Sequence, residues 1–84
     1  MNCYFIVALR IEQRVQTATS VQEVLTKYGG IIKTRLGLHD VGGDPPANDG
    51  IVILQLCCKP DEIDGLLAEL GAVSGVKAKL IDLN

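Results

Sequence analysis

Two stretches of this chain are apolar almost without a break, and two others alternate between apolar and polar. That contrast organises the reading. Residues 3–12, with Phe5, Ile6, Val7, Leu9 and Ile11, and residues 51–58, from Ile51 to Cys58, are too short for typical helices. Rich in aliphatic and β-branched side chains, they are predicted to be buried strands. Residues 31–39 alternate, setting Ile32, Thr34, Leu36 and Leu38 against Lys33, Arg35 and His39. Residues 76–83 do the same, with Val76, Ala78 and Leu80 opposite Lys77 and Lys79. Both are predicted to be half-exposed strands.

Helical spacing fills the gaps between them. Thr17 is a good N-cap, and Ala18, Val21, Val24, Leu25 and Tyr28 fall on one stripe. Ser20 and Glu23 form a rival capping box, but a start there leaves Ala18 off the stripe. Gly29-Gly30 ends this helix, as residues tolerant of positive φ do. Pro60, Asp61 and Glu62 open a second helix, where proline lacks no needed donor. Its stripe is Ile63, Leu66, Leu67 and Leu70, and Gly71 closes it. Residues 41–50 hold three Gly, two Pro, two Asp and an Asn, and form the longest loop.

The predicted order is βαββαβ. A faint internal echo supports two equivalent halves: Val24-Leu25, Tyr28-Gly29 and Lys33 to Leu36 resemble Leu66-Leu67, Leu70-Gly71 and Lys77 to Leu80. Such halves point to a ferredoxin-like α+β sandwich, a four-stranded antiparallel sheet with both helices on one face. The strand chemistry agrees. In that fold the first and third strands are central, and here they are the continuously apolar ones. The second and fourth are edges, and here they carry the lysines that discourage edge-to-edge pairing. Residues 1–84 are expected to form a single domain, since half this length could not close a core.

The sheet face away from the helices then needs an account. Phe5, Val7, Leu9, Ile11, Val52, Leu54, Leu56 and Cys58 are assigned to the helix side. Tyr4, Ile6, Ala8 and Arg10 fall on the open side, together with Ile51, Ile53, Gln55 and Cys57. The centre of that face is apolar, and Lys33, Arg35, Lys77 and Lys79 are expected to line its edges. Hydrophobic residues make up 48% of the chain and charged residues 21%, which is more apolar surface than one small core consumes. A homodimer or homotetramer formed through Tyr4, Ile6, Ala8, Ile51 and Ile53 is the expected outcome. A small-molecule effector near that interface, beside the 41–50 loop, is a further expectation.

Charge and chemistry narrow the function. A net charge of −2 argues against direct nucleic-acid binding. The RNA module of this topology stacks bases on aromatic rings of its central strands, where this chain has mostly Ile and Ala. No apolar run reaches the length of a membrane span, and no basic segment precedes Cys3, Tyr4 and Phe5, so no membrane association and no signal peptide are expected. Three cysteines make no disulfide framework, and reduced thiols in a cytoplasmic protein are the default expectation. Asp61, Glu62 and Asp64 suit a helix N-terminus, and Ser20 and Ser74 have no recognised histidine partner. The chain is therefore expected not to be an enzyme and to need no cofactor. One metal arrangement is open to it: His39 and Cys57, completed across chains in a symmetric assembly.

The run from Val21 to Tyr28-Gly29, followed by Ile32 to His39 with its Arg35-Leu36-Gly37, resembles the iron-only hydrogenase system regulator family. The stretch Leu70-Gly71, Val73, Gly75-Val76 and Ala78-Lys79 resembles that family's C-terminal part. These are small ACT-like proteins, comparable with the C-terminal domain of the nickel-responsive repressor. The resemblance implies an ACT-like domain that oligomerises and regulates near hydrogenase maturation. It departs from the nickel repressor in having only His39 where that protein's sensor strand has several histidines. It departs from amino-acid-binding ACT domains in placing Gln13 to Gln16, with no glycine, after the first strand.

Overall fold

The computed structural model describes residues 2–12, 15–38 and 50–84. Its strands are β1 (Asn2–Ile11), β2 (Ile32–Leu38), β3 (Gly50–Cys58) and β4 (Val76–Asp82), and its helices are α1 (Val15–Lys27) and α2 (Pro60–Gly71). The strands form one antiparallel sheet in the order β2-β3-β1-β4. This is the ferredoxin-like βαββαβ fold, with the two apolar strands in the middle and the lysine-bearing strands at the edges.

One layer of side chains between sheet and helices makes the core. Phe5, Val7 and Leu9 from β1 and Val52, Leu54, Leu56 and Cys58 from β3 meet Val21 and Leu25 of α1 and Ile63, Leu66 and Leu70 of α2. Each fully buried aliphatic side chain among them contributes roughly 1.5–3 kcal/mol. The alternation of buried and accessible residues along β1 and β3 shows why a continuously apolar sequence was needed: one face fills the core and the other is apolar too.

Both helix ends differ in part from expectation. Helix α1 begins at Val15, so Thr17 is not its N-cap. Thr17 instead lies buried in the first turn, its hydroxyl donating to the Ser74 carbonyl at 3.3 Å, and Ala18 is exposed, not part of the stripe. After Lys27 the chain tightens into a 3-10 turn at Gly29–Ile31, and neither Gly29 nor Gly30 adopts a positive φ. Among the described residues that conformation belongs to Gly75 alone, at φ 88°. Gly75 turns the chain into β4, and its carbonyl accepts from the Glu12 N–H at 2.9 Å. Helix α2 starts as its sequence indicates, with Pro60 in the first turn and Glu62 accepting from the Lys59 N–H at 3.3 Å.

Strand β2 brings the main correction. Ile32 pairs with Leu56, but Thr34 pairs with Gln55, so one extra residue bulges out at Lys33. A slip of one residue exchanges the faces of everything beyond it. Arg35 therefore pairs with Leu54 on the helix side and donates to Gln22 of α1 at 2.9 Å. Leu36, expected inside, pairs with Ile53 on the open face and is 53% exposed.

Candidate functional site

The open sheet face is built in three rows fixed by the strand register. Thr34, Gln55, Ile6 and Ile81 form the first; Leu36, Ile53, Ala8 and Lys79 the second; Leu38, Ile51, Arg10 and Lys77 the third. Tyr4 and Leu83 stand one row beyond the first, joined by a hydrogen bond from the Leu83 N–H to the Tyr4 carbonyl at 3.0 Å. Five large apolar side chains of the described residues are exposed, namely Tyr4, Leu36, Ile51, Ile81 and Leu83. All the residues expected at an interface, Tyr4, Ile6, Ala8, Ile51 and Ile53, lie on this face. Contrary to expectation, Lys33 and Arg35 do not make its second basic edge, because the bulge in β2 takes Arg35 to the other side.

The polar groups on this face are few. Gln55, in the middle of it, donates from Nε2 to the Cys3 carbonyl at 2.9 Å, so its amide is partly satisfied within the chain. Arg10, Lys77 and Lys79 gather at the β1–β4 corner. Ala8, Arg10, Ile51, Lys77 and Lys79 line a shallow hollow of about 380 Å³ there. A second hollow of about 290 Å³ continues past Arg10 and Lys77 to Glu12 and Gly75.

Cysteine chemistry differs from the sequence reading. Cys3 and Cys57 are joined in a disulfide across β1 and β3, with Cα atoms 3.8 Å apart, so the expectation of free thiols fails for this pair. The bond follows from the register shift between Asn2 and Phe5, which brings Cys3 beside Cys57. Nothing in the spacing of two cysteines 54 residues apart points to it. Cys57 would act as a metal ligand only after reduction, and His39, the other candidate ligand, lies outside the described residues, as does the 41–49 part of the loop. Among the described residues no group of three His, Cys, Asp or Glu side chains is placed to hold a metal ion. Cys58 is a buried free thiol on the helix side, pushed above its ordinary value by burial and, secondarily, by Glu62 and Asp61.

A polar cluster on the far side ties the helices together. Glu69 of α2 accepts from the Lys27 ammonium at 2.8 Å and from the Tyr28 hydroxyl. The hydrogen bonds from Lys27 and Tyr28 hold the Glu69 carboxyl below its usual range, and the bond to Glu69 raises Tyr28. Tyr28 reaches Glu69 across Gly65, where an added Cβ would stand 3.0 Å from the Tyr28 Oη. An unexplained glycine in the middle of an apolar helical stripe was the available signal. This cluster contains no nucleophile paired with a base, and it reads as structural.

Among the described residues, no helix is long and apolar enough to cross a membrane. The family model TM1266-like, described as "Iron-only hydrogenase system regulator, putative", matches residues 4–80. The solved structure of TM1266, an uncharacterized protein from Thermotoga maritima, is 30% identical and superposes with a TM-score of 0.84 over 95% of each chain. A formyltetrahydrofolate deformylase from Pseudomonas putida KT2440 superposes with a TM-score of 0.58 at 13% identity, over 92% of this chain and 28% of that one. At that identity the likeness is one of fold alone. No curated protein matches the sequence.

Proposed function

Because the chain belongs to the TM1266-like family of iron-only hydrogenase system regulators, we propose that it is a small, self-associating regulatory module that senses an effector on its open sheet face. The observation that carries this reading is the apolar face itself. Leu36 at 53%, Ile51 at 45%, Ile81 at 44% and Tyr4 at 60% exposure lie on one surface with Ile6, Ala8 and Ile53. A monomer in water rarely leaves so continuous a patch uncovered.

A second copy is the occupant that suits it. Burying roughly 600–800 Å² of the face per chain would match a standard-size interface. A twofold arrangement lets the same apolar rows cover each other, so one surface serves both partners. The assembly is a homodimer, or a homotetramer built from two. The working compartment on this reading is the cytoplasm, where reductants would open the Cys3–Cys57 bond. The basic corner turns self-association into a regulated event, since Lys77 and Lys79 cannot be buried against a like corner without a counter-charge. Regulation fits a face that offers an apolar binding surface with cations at one corner.

Static light scattering of the purified chain tests the assembly. A mass of two or four chains at micromolar concentration is expected; a monomer there would remove the reading's basis.

A further inference from the structure

The β1–β4 corner of the open face points to a ligand class. We propose that the hollow bounded by Ala8, Arg10, Ile51, Lys77 and Lys79 binds a small amphipathic organic anion. Its carboxylate or phosphate lies between Lys77 and Lys79 and its aliphatic body on Ala8 and Ile51. The proposal deepens the reading above and rests on the open face being the effector surface.

The register makes the arrangement unusual. Arg10 stands directly opposite Lys77 on the neighbouring strand, and Lys79, opposite Ala8, is the diagonal neighbour of Arg10. Like charges directly opposed across strands are unfavourable in a sheet. Neither Lys77 nor Lys79 has an ion-pair partner among the described residues. Strand positions of the open face carry no carboxylate among the described residues, whereas Glu23, Asp61, Glu62, Asp64 and Glu69 sit on the helices. The chain as a whole has a net charge of −2, so the positive corner is a segregated feature and not a reflection of composition. Glu12 lies at the far end of the adjoining hollow. Among the described residues, Lys77 and Lys79 are left as a positive surplus that a bound anion neutralises.

The shape completes the argument. At about 380 Å³ the hollow has the size of small-ligand sites, which start at about 300 Å³. Its floor is aliphatic and its charged side chains among the described residues are all cationic, a pairing that selects an anion with an apolar body over an inorganic ion.

The test is a titration of the full chain followed by amide NMR, at fixed ionic strength, with hexanoate, hexyl phosphate, hexanol, hexylammonium and inorganic phosphate. Hexanoate or hexyl phosphate is expected to shift the amides of Ala8, Ile51 and Ala78 saturably, and the stronger of the two identifies the head group. Hexanol and inorganic phosphate are expected to bind at least about tenfold more weakly, the loss of one charge-assisted contact or of the apolar body. Lys77→Gln with Lys79→Gln is expected to weaken the organic anion by about tenfold or more while leaving the melting temperature in place. Equal binding of hexanol or hexylammonium, no saturable shift, or an unaffected double variant would overturn the proposal. Sedimentation velocity on the same samples separates it from the assembly: a monomer that binds hexanoate removes self-association alone, and a dimer that ignores every anion removes the anion site alone.

Discussion

Ile53 offers the sharpest test of the open face, and Ile53→Gln is the perturbation to make. It sits in the second row between Leu36 and Ala8, on the side of β3 opposite the core residues Val52 and Leu54. In the isolated chain it is already half-buried by its neighbours. Covering the remainder is worth about 1 kcal/mol, half the value of a fully buried aliphatic side chain. Glutamine forfeits that gain and adds an amide that costs about 1–3 kcal/mol if it loses water without a partner. Twofold symmetry applies the change twice, for a total of about 4 kcal/mol or more, or roughly a thousandfold in the dimer dissociation constant. The fold should lose no more than about 1 kcal/mol, because the side chain takes no part in the core. Sedimentation equilibrium over a wide concentration range measures the association, with Glu23→Gln on the exposed side of α1 as the control. If wild type and Ile53→Gln show the same mass at every concentration, the face is not the interface. A variant that dissociates only because it unfolds would be exposed by its melting curve, and Leu36→Gln, further toward the β2 edge, then repeats the test.

Other expectations concern stability and pH. Gly75→Ala combines a positive φ with a Cβ 2.9 Å from Glu12 Oε2 and 3.2 Å from Glu12 Cβ; a loss of about 2 kcal/mol, or a melting temperature lower by about 10 °C, should follow. Gly71→Ala, at the end of α2 with nothing within 4 Å, should instead hold or raise it, and a similar loss in both variants would refute the distinction. The Glu69 carboxyl is held below its ordinary 4.5 by Lys27 and Tyr28, so its contribution is present above that pH and fades as pH falls through the folded value. Melting temperatures of wild type and Glu69→Gln should therefore converge on acidification; a constant gap would contradict the assignment. Cys58 is raised above 9.0 chiefly by burial, so the unfolded chain ionises first and stability should fall as pH climbs past that value, an effect Cys58→Ala should abolish. Opening the Cys3–Cys57 bond, which closes a loop spanning 54 residues, should lower stability by roughly 2–4 kcal/mol on the chain-entropy account; denaturation curves that coincide with and without reductant would remove it.

Sequence and tertiary structure each decided different features of this protein. Hydrophobic periodicity determined the order of elements, the central places of β1 and β3, and the inward set from Phe5 to Leu70, because burial has a period of two in strands and 3.6 in helices. It also determined that the other face of β1 and β3 is apolar, since a strand that is greasy on both sides has two faces to cover. The family likeness was legible in its glycines, including Gly75, although periodicity alone did not reveal that Gly75 carries the positive φ. Register was not legible. A bulge at Lys33 put Leu36 on the open face in place of Arg35, and a shift near Cys3 set it beside Cys57. Both depend on how one strand slides against its neighbour, and no local pattern records that choice. The cluster of Arg10, Lys77 and Lys79 is of the same kind: residues nearly seventy positions apart share a corner only because β4 pairs antiparallel with β1. Composition and alternation are properties of one strand, whereas a binding corner is a property of two, and it exists only once the hydrogen-bonded ladder has fixed which side chains stand opposite one another.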